Sequence, residues 1–134
     1  MQENGAGMMP PQLRKMIDDK ERELAEQKAR EAPFARVALW MLYLPISRRQ
    51  QLTLGRIYSF QCTKGKDGSP GGYRMSLANG ARELRMYDRT ELQDDLNKLV
   101  SLGFVRKKSN GPRTPATYLV DEAACMKAAK EAGY

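Results

Sequence analysis

Histidine is absent from this chain, and cysteine nearly so. Without an imidazole there is no Ser/His or Cys/His nucleophilic pair, no imidazole metal ligand and no ordinary side chain that titrates near neutral pH. The two cysteines, Cys62 and Cys125, cannot complete a zinc site without histidine partners, nor build a disulfide framework. So sparse a use of cysteine suits a reduced, intracellular chain. Long apolar runs are missing too. The longest, residues 34–44, is broken by Arg36 and stopped by Pro45, whereas a membrane span needs about 20 apolar residues. The opening MQENGAGMMPP is polar and lacks the basic start and apolar run of a secretory signal. With no phosphate-binding motif and no isolated carboxylate pair, these absences predict a soluble, cytoplasmic protein that is not an enzyme and holds no cofactor or metal.

Acidic residues are scarce only in the middle of the chain. Residues 33–75 contain Arg36, Arg48, Arg49, Arg56, Lys64, Lys66 and Arg74 against Asp67 alone, while both ends are nearly neutral. The whole chain of 134 residues carries +7. A basic body between neutral ends points to a polyanionic partner, although mild basicity also serves solubility.

The chain is short enough for one domain with an extension. Residues 1–11, with two glycines and two prolines and no periodicity, read as disordered. Residues 12–32 lack Gly and Pro and are rich in helix formers. Leu13, Met16, Ile17 and Leu24 make a thin apolar stripe interrupted by Lys20. This is a solvated helix that needs a partner surface, either a long dimer helix or a frayed extension. After Pro33, residues 34–44 are apolar on nearly every face and predict a helix buried on several sides, at a subunit interface or at the centre of the core. Together residues 12–46 form a helical extension and a candidate homodimerisation element.

Ser47 and Gln50 make a capping box that opens a helix running from about Arg48 to Gln61, with Leu54, Ile57, Tyr58 and Cys62 on its inner face. Residues 64–73, KGKDGSPGGY, form a loop. It lacks the Lys-Ser/Thr ending of a nucleotide-binding loop, and Pro70 removes a backbone donor. Ser76 caps a helix over residues 77–85, and Met86 and Tyr87 make a turn. Asp88 and Glu91 read as a second capping box. The helix they open carries Leu92, Leu96, Leu99 and Val100 at helical spacing and ends at Gly103. Residues 104–108 read as a strand, residues 109–116 as a turn containing Asn110 and Gly111, and residues 117–120 as the returning strand. Asp121 caps a last helix over residues 122–132.

The string DRTELQDDLNKLVSLGFV at residues 88–105, followed by strand, basic turn and strand, resembles the recognition helix and exit of a winged helix-turn-helix domain. The glycine loop before it is similar to those of winged-helix proteins in plasmid and phage DNA replication or transcription regulation. The resemblance covers residues 48–120. It implies a mainly α fold with a small β-hairpin wing, organised as residues 1–11, the extension 12–46, the winged domain 47–121 and a C-terminal helix 122–134. It further implies binding of double-stranded DNA, by a transcriptional regulator or a replication or partition accessory of a mobile element.

On that alignment Arg89, Gln93 and Asn97 are base readers and Thr90 a phosphate contact. Arg106, Lys107, Lys108 and Arg113 in the wing, and Arg48 and Arg49, are phosphate contacts, with Lys64 and Lys66 extending the surface. The wing cations also fit a solvated hairpin edge. Glu91, Asp94 and Asp95 depart from the pattern, because carboxylates beside phosphates repel. They open the alternative of a protein-interaction module that captures a partner through an acidic helix, as a subunit or inhibitor of a nucleoprotein complex.

Overall fold

The computed structural model describes residues 10–63 and 71–134. The expected disorder of residues 1–9 and the body of the glycine loop, with Lys64 and Lys66, lie outside the described residues. The chain divides into two units that part between Pro33 and Phe34. The first contains α1 (Pro11–Glu31), none of whose residues is buried. Pro11 occupies the first turn of α1, where a missing N–H costs nothing. The helix thus starts inside the segment expected to be disordered.

The second unit contains α2 (Arg48–Gln61), α3 (Leu77–Glu83), α4 (Arg89–Ser101), β1 (Val105–Lys108), β2 (Thr117–Val120) and α5 (Glu122–Glu131). Three helices followed by an antiparallel hairpin, with α3 packed on α4 and α2 packed on both α4 and β2, make a winged helix-turn-helix. One core joins Leu54 and Ile57 of α2, Ala81 of α3, Leu92, Leu96 and Leu99 of α4, Val105, Tyr118 and Val120 of the hairpin, and Cys125 and Ala129 of α5. Each large aliphatic side chain buried there contributes about 1.5–3 kcal/mol.

Residues 34–44 do not form the expected helix. Residues 33–38 form neither helix nor strand, with Ala38 extended, and a 3₁₀ turn follows at Leu39–Tyr43. The reason is tertiary. This piece runs against α2 at Gly55, where the Arg36 N–H donates to the Gly55 carbonyl at 2.9 Å. A Cβ on Gly55 would stand 2.8 Å from Val37 Cγ2 and 3.1 Å from the Arg36 carbonyl oxygen. Pro45 holds Leu44 extended at the other end. Trp40, Met41 and Leu44 point inward, and the 3₁₀ turn packs on α5 and α2. Residues 34–46 thus belong to the second unit rather than to the extension, and so does the C-terminal helix.

The Ser47–Gln50 capping box forms in both directions, at 3.2 and 2.9 Å. Cys62, expected on the inner face, is exposed at the C-cap of α2. Helices α3 and α4 end alike. The Met86 N–H donates to the Ala81 carbonyl and Arg85 to Arg82. Phe104 likewise donates to Leu99 and Gly103 to Val100. Each closure needs a left-handed residue. Gly103 takes it at φ 84° without cost, and Arg85 takes it at φ 58° despite its side chain.

One strand-like piece was not expected. Tyr73 pairs with Tyr118 through two backbone hydrogen bonds of 3.0 and 2.8 Å. This bridge sits on the edge of β2 opposite β1. A single residue carries no alternation, so no sequence periodicity announces it.

Candidate nucleic-acid interface

Helix α4 starts on Asp88, whose carboxylate accepts from the Thr90 and Glu91 N–H groups at 3.0 and 3.2 Å. The capping box expected here is not reciprocal. Glu91 accepts from the Tyr87 N–H rather than from Asp88, and it also takes the guanidinium of Arg49. Arg49 closes a two-point contact with Asp95 as well, Nε to Oδ2 at 2.8 Å and Nη2 to Oδ1 at 2.9 Å. Asp95 is 1% exposed. Its bond, ahead of the Coulombic pull of Asp95, Glu91 and Asp94, raises the Arg49 pKa above its ordinary value.

Arg49 is engaged between α2 and α4 rather than presented as a phosphate contact. Of the three carboxylates that made α4 look acidic, Glu91 and Asp95 share the single positive charge of Arg49 and Asp94 alone is exposed.

The exposed side of α4 presents Arg89, Thr90, Asp94 and Asn97, with Gln93 half-buried among them. Gln93 Nε2 donates to Asn97 Oδ1 at 3.0 Å. Both amides are thereby oriented, leaving Gln93 an acceptor and Asn97 its donors for an incoming base edge.

In the wing, Arg106 faces Leu119, Lys107 faces Tyr118 and Lys108 faces Thr117 across the ladder. Neighbouring side chains alternate between faces, so the cations do not act as one set. Lys107 lines a cleft of about 270 Å³ together with Ser76, Gln93, Ser109, Thr114 and Tyr118. Arg106 is on the other face, bound to Asp121 Oδ2 through Nε at 3.1 Å and Nη2 at 3.0 Å. Asp121 also caps α5. The Ala124 N–H foremost, then Arg106, hold its carboxyl below the usual value. The wing turn is pinned by Asn110, whose Nδ2 donates to the Pro115 carbonyl at 2.9 Å and to Thr117 Oγ1 at 2.8 Å. Arg113 stands exposed there at φ 59°. Lys107, Lys108 and Arg113 make no ion pair among the described residues. Arg48, expected on the same surface, donates to Gln51 Oε1 at 3.0 Å, and Gln51 in turn reaches the Met41 carbonyl.

The central basic stretch is thus partly spent inside the fold. Arg56 chelates Glu83, donates to the Phe34 carbonyl at 3.0 Å and lies 4.5 Å over the Phe60 ring. What sequence reasoning missed lies at the α3–α4 turn. There Arg82, Tyr87, Asp88 and Arg89 line a cleft with Ala78, Ala81 and Met86. The Tyr87 ring is 92% exposed, and Arg85 is exposed beside it. The sequence signal is the string Arg85-Met-Tyr-Asp-Arg89, basic residues interleaved with an aromatic, which reads as a turn when only Met86 and Tyr87 are weighed.

No helix among the described residues is long and apolar enough to cross a membrane. Among the same residues no cluster of three Cys, Asp or Glu side chains could hold a metal ion. No protein-family model matches the chain and no curated protein is similar to it. Among solved structures, a mutant of MepR from S. aureus is similar at 16% identity and a TM-score of 0.43, over 98% of this chain and 77% of that one. At so distant a likeness, the functional reading rests on the chain's own geometry.

Proposed function

We propose that this protein binds double-stranded DNA as a non-enzymatic, sequence-recognising regulator of transcription. The observation that carries the reading is the convergence of Lys107 from the wing and Gln93 from α4 on one cleft, while Asp95 and Glu91 are withdrawn onto Arg49. A cation on one wall and oriented amides on the other match the two tasks of a duplex reader, gripping phosphate and reading base edges. Arg89 and Thr90 at the start of α4 and Lys108 and Arg113 along the wing extend that surface. A homodimer would present two such surfaces to half-sites about one helical turn apart. The finer role is repression or activation within a mobile element, or a part in its replication or partition.

Fluorescence anisotropy on labelled duplexes tests the reading, beginning with the DNA upstream of the protein's own gene. Binding is expected at low salt, and log affinity should fall linearly with log salt, each neutralised phosphate contributing about −0.9 to the slope. An absence of binding to any duplex at low salt sinks the proposal.

A further inference from the structure

The turn between α3 and α4 carries a side chain that the core does not use. Tyr87 is 92% exposed and meets no other aromatic ring among the described residues. The backbone beneath it is nonetheless tied down on both sides. The Met86 N–H donates to the Ala81 carbonyl at 2.9 Å. The Tyr87 N–H donates to the Glu91 carboxylate, which Arg49 also holds. A fixed turn thus presents a bare ring.

Cations flank that ring. Arg82, Tyr87 and Arg89 line a cleft of about 340 Å³ with Ala78, Ala81, Met86 and Asp88. Arg82, Arg85 and Arg89 make no ion pair among the described residues. Arg82 donates through Nη1 to Asn79 Oδ1 at 3.2 Å, which leaves most of the guanidinium donors unused. Asp88 is the one carboxylate in the cleft, and its Oδ1 already accepts from the Thr90 and Glu91 N–H groups. Arg85 stands beside Tyr87 at φ 58°, where the matching closure of α4 uses Gly103. An arginine in a left-handed position that glycine fills without strain indicates a use for its side chain.

A bare ring flanked by guanidiniums suits a planar, anionic partner, with a base on the ring and its phosphates on the arginines. Bases inside a duplex are stacked on one another and offer a protein ring no face. An unpaired base does. Carboxylates of an acidic peptide would satisfy the arginines and leave the face of Tyr87 uncovered. Arg89 belongs both to this cleft and to the exposed start of α4, so a nucleotide seated here adjoins a duplex held on α4.

We propose that the α3–α4 turn binds an unpaired nucleotide beside the duplex, its base stacked on Tyr87 and its phosphates held by Arg82 and Arg89, with Arg85 on the flank. The protein then prefers DNA that is open next to its site. The proposal rests on the duplex reading of α4 and the wing, and adds to it the form of DNA that is held.

The test compares, by fluorescence anisotropy at one salt concentration, the blunt duplex from upstream of the protein's own gene with the same duplex carrying a short single-stranded tail at its 5′ or its 3′ end. One of the tailed duplexes should bind about ten-fold more tightly than the blunt one, within the range of a single stacked base. Tyr87→Ala should bring the tailed duplex down to the affinity of the blunt one. Tyr87→Phe keeps the ring and should keep the preference. Arg85→Gly should leave the chain at least as stable to urea, because it relieves the backbone, yet weaken binding of the tailed duplex. Trp40 fluorescence reports that each variant stays folded. Equal affinity for blunt and tailed duplexes overturns the proposal in favour of a protein partner for the turn. A tail preference that survives Tyr87→Ala overturns the stacking. Both results leave the duplex reading standing, whereas failure to bind blunt or tailed DNA at low salt overturns the two together.

Discussion

Arg49 at the start of α2 holds Asp95 in the middle of α4 by two parallel hydrogen bonds, although 46 residues separate them in sequence. The carboxylate is buried and the guanidinium is not, so the pair is a clamp whose outer half water still touches. Removing one partner of a fully buried pair costs about 3–5 kcal/mol. The Arg49 side chain is 45% exposed, and its loss lets some water reach Asp95. We therefore expect Arg49→Ala to cost about 2 kcal/mol. Asp95→Asn should cost less, since its amide oxygen still accepts from the guanidinium. Urea unfolding followed through Trp40 measures both. A change within about 0.5 kcal/mol for Arg49→Ala would place the pair among inert surface bridges.

The wing and α4 should fail differently. Lys107→Ala with Lys108→Ala removes two phosphate-type cations. It should weaken specific and random duplexes alike and flatten the log–log salt slope by roughly 2 units. Arg106→Ala should change the slope less, because Asp121 already neutralises that cation. Equal slopes for the two variants would contradict the division between the faces of the hairpin.

Arg89→Ala or Gln93→Ala should cost about 1–3 kcal/mol on the preferred site and little on random DNA. Asp94→Asn removes the one exposed carboxylate of α4 and should tighten random binding. That effect is absent if Asp94 accepts from a cytosine. The comparison needs one salt concentration and both duplexes.

Gly80 and Tyr73 make a packing prediction. A Cβ on Gly80 would stand 2.4 Å from Tyr73 Oη and 2.6 Å from Leu92 Cδ2, both buried. Overpacking of this kind costs about 1–3 kcal/mol, against a gain of up to about 1 kcal/mol from helix propensity. Gly80→Ala should therefore destabilise. Tyr73 Oη has no hydrogen-bond partner, so Tyr73→Phe should be neutral or stabilising and should relieve part of the Gly80→Ala cost in a double-mutant cycle.

Asp121 gives a pH prediction. Its carboxyl is held below the ordinary value in the folded chain. Its contribution to stability is therefore full above the unfolded pKa, about 3.9, and is lost as pH falls through the lower folded value. Carboxyl ¹³C titration should show a midpoint below the usual range. In Arg106→Ala the midpoint should rise only part of the way, because the Ala124 N–H is the larger cause. A full return to the ordinary value would contradict that order of causes.

The order of elements was readable because each boundary carries its own local chemistry. Ser47, Ser76, Asp88 and Asp121 accept helix N–H groups where their positions foretold, and Gly103 closes α4. Residues 34–44 misled because an apolar run has no polar face to set its period. The close approach at Gly55 then decides against a helix. The candidate cleft was half readable. The positions of Gln93 and Lys107 came from the winged-helix pattern. The capture of Arg49 by Asp95 and of Arg106 by Asp121 depends on contacts that no single-sequence periodicity encodes. Charge counting saw three free carboxylates in α4 where the fold ties two of them to one arginine.

The Tyr73–Tyr118 bridge gives the hairpin a fixed footing. Tyr118 sits opposite Lys107 on β1 and is tied by its other edge to the chain that enters α3. A hairpin held only by its own ladder would have to be ordered on contact, and that entropy would be subtracted from affinity. Here the ordering is already done when the chain folds. On the proposed function, the spacing between the Lys107 ammonium and the α4 amides would act as a built-in ruler, and a duplex whose groove departs from it would have to bend to be held.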